Sequence, residues 1–144
     1  MITVDEIMSV ELITLTANDS LADAQTMMAN AHIHHIPIVE GDNQLVGIVS
    51  HRDVLTATEP HKSSDSIAQN PSNINVRDFM TRDVTTVDPR ANLRQAAVFL
   101  QRHSYGCLPV VEEGKLIGIV TDTDFVGVAI NLLEQMEEID PADV

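Results

Sequence analysis

Two short stretches hold most of the side chains that could do chemistry. His32-Ile33-His34-His35 puts three of the six histidines within four residues, just ahead of Ile36-Pro37-Ile38-Val39. Ser50-His51-Arg52-Asp53 follows, and Thr121-Asp122-Thr123-Asp124 echoes it 71 residues later. Imidazoles in a row suggest a metal site or proton transfer, because neutral histidine is both a ligand and a base near neutral pH. His32 and His34 could share one face of an extended segment. No carboxylate neighbours them in sequence, so a hydrolytic or redox centre is not indicated and no metal is expected.

The second pattern suits a different ligand. A nucleotide needs apolar walls and backbone amides for its base. It needs a carboxylate that accepts from both ribose hydroxyls, and N–H donors or cations for phosphate. A strand running into a helix through Ser-x-x-Asp or Thr-x-x-Asp offers the last two, because a helix start presents free amides and partial positive charge. Ser, Thr and Asp are also ordinary helix caps. Both roles suit the same atoms.

The elements that must position these residues are written twice. Residues 4 to 55 overlay 76 to 126 at an offset of 72, falling to 71 after the acidic turn. Thirteen identities share it, among them Val4/Val76, Met8/Met80, Pro37/Pro109, Gly47/Gly118 and Asp53/Asp124. A repeat of this kind marks one structural unit duplicated. Each copy opens with a helical lead-in, where Thr3 with Glu6 has capping-box spacing and Asn75 can cap the second. Short strands are expected at 12–15 and 84–87. Amphipathic helices follow, with Leu21, Ala24, Met28 and Ala31 on one face and Leu93, Ala96 and Leu100 on the other copy's, capped by Ser20 and Asn92. Hairpins 35–50 and 107–121 come next, then final helices near His51 and Asp122. The expectation is an α/β (α+β-like) fold of two β-α-β-β-α repeats, packed with pseudo-two-fold symmetry because about 50 residues make a small core alone. The repeats are set at 1–58 and 75–130, with 59–74 as linker inside the polar stretch 56–74, and 131–144 as helix end and acidic tail. Gly47 and Gly118 fall inside strands, where a glycine signals close packing or room for a ligand.

Composition removes several function classes. Twenty-two acidic against eight basic residues give a formal charge of −14, which repels nucleic acid and anionic membranes. Cys107 is the only cysteine, so no intrachain disulfide or thiolate cluster can form, and it is expected as a small buried or cleft residue. The first residues lack a basic, then apolar, leader pattern, and no run reaches the roughly 18 apolar residues of a membrane span. A cytoplasmic protein is expected.

The ordered set of motifs, "IM" and "FM", "HIPIV" and "CLPVV", "GIVSHRD" and "GIVTDTD", resembles a tandem pair of cystathionine-beta-synthase (CBS) domains, a Bateman module, over about residues 3 to 130. The resemblance implies a non-catalytic regulatory module, stand-alone, that binds adenine nucleotides in clefts between the paired domains and forms disc-like homodimers. The apolar side of the last helix, Val126, Ile130 and Leu133, would serve that dimer. By resemblance, Asp53 and Asp124 hold ribose, and Ser50 and Thr121 contact phosphate, with His51 or Arg52 adding charge in the first copy. The base would lie against Thr14, His35, Ile36 and Pro37 in one half, and Thr86, Tyr105, Cys107, Leu108 and Pro109 in the other. Asp122 stands where the first copy has His51, so the second cleft should prefer less charged ligands unless Lys62, Arg77, Arg82, Arg90 or Arg102 reaches it. The ligand is expected to be AMP, ADP or ATP, or an adenosyl compound. No cofactor is required, and the effect would be exerted on an unidentified target protein. A dimerisation module with degenerate clefts and a His-cluster metal-binding protein are the alternatives.

Overall fold

The computed structural model describes residues 1–59 and 70–139. In the first repeat α1 (Leu21–Ala31) leads into a hairpin of β1 (His35–Glu40) and β2 (Gln44–Ser50), and α2 (His51–Thr58) follows. The second repeat repeats the order with α3 (Leu93–His103), β3 (Cys107–Glu112), β4 (Lys115–Thr121) and α4 (Asp122–Ile139). Both hairpins are antiparallel and meet at one residue pair, Gln44 with Lys115, so the mixed α/β fold has strand order β1-β2-β4-β3. Pro37 and Pro109 lie on the outer strands, where a missing N–H breaks least of the ladder.

The expected opening strands shrink to single parallel bridges, Leu15 with Ile38 and Val87 with Val110. The chain turns away at once: the Thr16 amide donates to the Asp19 carboxylate at 2.7 Å. Helix starts carry the expected caps at Ser20 and Asn92, whose oxygens accept from the amides of Asp23 and Gln95, both at 3.1 Å. Thr3 and Glu6 form their box, whereas Asn75 makes no side-chain cap bond. α1 and α3 end on non-glycine residues in the left-handed region, His32 and Ser104, each at φ 54°. The first histidine of the cluster therefore closes a helix.

Leu21, Ala24 and Met28 bury one face of α1, and Leu93, Ala96 and Leu100 that of α3. Each fully buried Leu or Ile stabilises by about 1.5–3 kcal/mol relative to exposure. The two cores are not each built from one repeat. Val4 belongs to the second core, and Val76 and Met80 belong to the first. The lead-ins are exchanged. The Val4 amide donates to the Ala91 carbonyl at 2.9 Å, and the Val76 amide to the Asp19 carbonyl at 2.8 Å. Ser9 bridges Ile119, and Thr81 bridges Ile48 in the same way. Every such contact occurs twice at the sequence offset, which is the pseudo-two-fold symmetry in atomic terms.

The exchange also accounts for the strand glycines. A Cβ on Gly47 would lie 2.8 Å from Met80 Sδ and 3.0 Å from the Thr81 carbonyl oxygen; on Gly118 it would meet Met8 Sδ at 2.5 Å. The other repeat's lead-in fills the space, so these glycines serve packing. Thr56–Thr58 finish α2, Pro71–Asn73 form a 3-10 turn, and Ile74 packs on the first core, so the ends of the polar stretch 56–74 belong to the folded body. Residues 60–69, Lys62 among them, and Asp140 and Asp143 of the acidic tail lie outside the described residues.

Candidate functional site: two clefts between the repeats

Strand register sets the site. His35 pairs with Ser50 across the first hairpin and Cys107 with Thr121 across the second. The residues flagged before each proline and those starting each final helix are thus neighbours at one end of the sheet. The clefts, however, are built across the repeats. The first, about 360 Å³, joins Ser50, Arg52 and Asp53 of the first repeat to Tyr105, Cys107 and Pro109 of the second. The other, about 320 Å³, joins Thr121 and Asp124 to His35 and Pro37. Both volumes lie at the small end of the roughly 300–1,000 Å³ of ligand pockets.

Each helix start is held by a reciprocal box. The Ser50 amide donates to Asp53 Oδ2 at 2.8 Å, and the Asp53 amide to Ser50 Oγ at 3.0 Å. The Thr121 amide donates to Asp124 Oδ2 at 2.8 Å, and the Asp124 amide to Thr121 Oγ1 at 3.3 Å. Both aspartates are therefore box partners, three residues after the capping Ser50 or Thr121, and this role engages Oδ2 alone. A carboxylate has two oxygens and about four lone-pair sites, so the second oxygen can accept from a ligand. Capping and ligand binding are compatible in one side chain.

Other flagged residues fall differently. Ile36 and Leu108 are buried, and their side chains join the two cores and not a cleft wall. Thr14 and Thr86 stand beside residues that line the clefts, Ile13 in one and Thr85 in the other. His51 faces away from Arg52. It lines a separate groove between α1 and α2 with His32 and His34, its ring centroid 5.5 Å from that of His34. Tyr105 lines the first cleft while stacking on His103 at 5.6 Å, with Phe99 at 5.8 Å. Cys107 is 7% exposed, and burial pushes its thiol up to about 12, with Asp122 adding to the effect. It stays protonated and inert. Burial pushes the His35 imidazole down, against the pull of Asp122. Among the described residues no three His, Cys, Asp or Glu side chains converge as a metal would require.

Two acids that no sequence motif singles out also line the clefts, Asp83 the first and Glu11 the other. They are equivalent at the offset of 72 and follow the exchanged lead-ins, so the repeat pairs them but only the exchange brings them to a cleft. The charges of the clefts differ. The first has Arg52. The other has Glu11, Asp122 and Asp124, and among the described residues no arginine or lysine lines it. Arg77 and Arg82 lie together elsewhere, and Arg90 pairs with Glu112 at 2.8 Å.

This is the architecture of a CBS pair. The family model for the CBS domain matches residues 4–59 and 76–131, and the chain belongs to that family. Among solved structures, it is similar to a candidate acetoin utilization protein (AcuB) of Vibrio cholerae, with 44% identity and a TM-score of 0.83, covering 98% of this chain and 99% of that one. The protein CBSX2 in complex with AMP is 30% identical, with a TM-score of 0.79 over 92% of this chain and 98% of that one. The CBS domain pair of protein MJ0100, in complex with 5′-methylthioadenosine and S-adenosyl-L-methionine, is 27% identical, with a TM-score of 0.76 and the same coverage, 92% and 98%. Among curated relatives, protein MJ1225 of Methanocaldococcus jannaschii is 36% identical over 85% of this chain, which spans 41% of its length. Homoserine O-acetyltransferase of Methanococcus vannielii is 32% identical over 82% of this chain, which spans 23% of that enzyme.

Proposed function

We propose that this protein is a non-catalytic, cytoplasmic regulatory module that binds adenine nucleotides or adenosyl compounds in its two clefts and acts on a partner protein. The observation carrying this reading is the box geometry: Asp53 and Asp124 engage one carboxylate oxygen at the helix start and each lines a cleft, so the other oxygen would accept from ribose hydroxyls. The AMP complex of CBSX2 and the adenosyl complexes of the MJ0100 pair support the ligand class. In the first cleft Ser50 and the opening amides of α2 would hold a phosphate, with Arg52 as its cation, and Cys107, Pro109 and Tyr105 would wall the base. AMP or ADP suits it, and the many acidic groups disfavour ATP. The other cleft, acidic and without a described cation, suits an uncharged or cationic adenosyl compound.

Calorimetry with AMP on wild type and on Asp53→Ala, beside a melting curve for each, tests this. Affinity is expected to fall ten- to a hundred-fold, or about 1.5–3 kcal/mol, and the free protein to lose about 1 kcal/mol with its cap. Lost stability with untouched affinity would reduce Asp53 to a cap. No heat from any adenine compound on ligand-free wild type would favour a pure dimerisation module, to which the exposed apolar side of α4 is suited.

A further inference from the structure

The two clefts have one side chain in common among the residues that line them, His35. It projects from the start of β1, which walls the acidic cleft, and its ring lies over Gly106 of the other repeat so closely that a Cβ there would collide with the imidazole. Gly106 lets the ring reach the first cleft as well. The equivalent position in the second repeat is Cys107, whose short thiol lines the first cleft and is absent from the wall of the other. The shared wall is thus one-sided, made by the longer of two equivalent side chains. Asp122 from one cleft and Asp53 from the other both act on the ring, as does His34. Among the described residues no side-chain hydrogen bond fixes either ring nitrogen.

We propose that His35 couples the two clefts, so that the ligand held in one sets the hydrogen-bonding face offered to the other. This rests on the reading of both clefts as sites for adenosine compounds. A neutral imidazole carries one N–H donor and one acceptor nitrogen. A ligand that takes the donor on one side leaves the acceptor for the other side; a ligand that offers a donor reverses the tautomer. The second ligand then meets a wall already committed, and its affinity changes. By linkage the effect is reciprocal.

Calorimetry on the full chain reads it. AMP is titrated with and without saturating 5′-methylthioadenosine, and the reverse, in wild type and in His35→Phe, which keeps an aromatic ring and removes both nitrogens. Wild type is expected to fill two sites and to show the same factor, about five-fold or more, in both orders. In His35→Phe that factor falls to one, whatever the substitution does to each affinity alone. Two filled sites with no factor in wild type, or a factor that survives in His35→Phe, overturns the coupling and leaves the ligand reading standing. So does filling of only one cleft. No binding of either compound defeats both. Should His35→Phe fail to fold, long-range ¹H–¹⁵N spectra of the wild-type imidazole decide: the tautomer changes as each ligand is added, and an unchanged ring refutes the proposal.

Discussion

At the scale of single residues, the histidine cluster is shared among three surfaces. His32, which ends a helix, and His34 line both the acidic cleft and the groove that holds His51, while His35 lines both clefts. Burial pushes the His35 imidazole down, with Asp122 and Asp53 opposing and His34 adding to the fall. The sign follows from linkage. Above about pH 6.5 both folded and unfolded chains hold this imidazole neutral; below it the unfolded chain takes up a proton that the folded one resists. Stability is whole above that pH and declines below it until the folded pKa is passed. Urea titrations at pH 5.5 and 7.5 are expected to show a smaller loss in His35→Phe than in wild type; equal losses would mean the ring titrates normally. The pairing of Asp53 with Asp124 at the helix starts was legible because both recur at the repeat offset. Ile36 and Leu108 turn their side chains into the cores because a strand alternates its faces, so neighbours of a proline on one strand do not share its side.

At the scale of elements, helices and hairpins could be read directly from apolar periodicity, caps and turn residues. The exchanged lead-ins could not. A segment such as Val4 to Met8 has the same local pattern whichever core it enters, and only the three-dimensional pairing of Val4 with Ala91 decides. The same blindness left the strand glycines with two readings and hid Glu11 and Asp83. The exchange has a direct test. Gly47→Ala drives a methyl against Met80 and the Thr81 carbonyl, and overpacking of this kind costs about 1–3 kcal/mol. Shortening Met80 should relieve part of it, so Gly47→Ala with Met80→Ala is expected to cost less than the two separately. Strict additivity in chemical denaturation would show that the two do not press on each other.

At the scale of the molecule, α4 carries the densest group of exposed large apolar side chains among the described residues. Val126, Ile130, Leu133 and Met136 are each more than half exposed, and three-four spacing puts them on one side of the helix. Glu134, Glu137 and Glu138 lie on the same helix and are exposed. The homodimer expected by resemblance would cover Val126, Ile130 and Leu133 and leave Glu138 in water, with Glu137, four residues after Leu133 and in line with it, at the edge of the contact. Light scattering on wild type is expected to give twice the chain mass. Leu133→Glu, which places a charge in that stripe, is expected to give one chain mass with little change in melting temperature of the protomer. A wild-type monomer at tens of micromolar, roughly where a modest interface is populated, would leave α4 without this partner.

The reciprocal lead-ins carry a consequence for ancestry. A chain holding one repeat would own a hydrophobic peg, the counterpart of Val4 or Val76, and an empty slot that its own peg does not fill. Two copies of such a chain satisfy each other. The duplication visible in the sequence therefore has a foldable ancestor only as a self-complementary pair. In one chain the encounter of the two halves is intramolecular and no longer depends on protein concentration. Once tethered, the halves no longer had to be identical. His35 could differ from Cys107 and Arg52 from Thr123, and one symmetric pair of clefts could become two different ones.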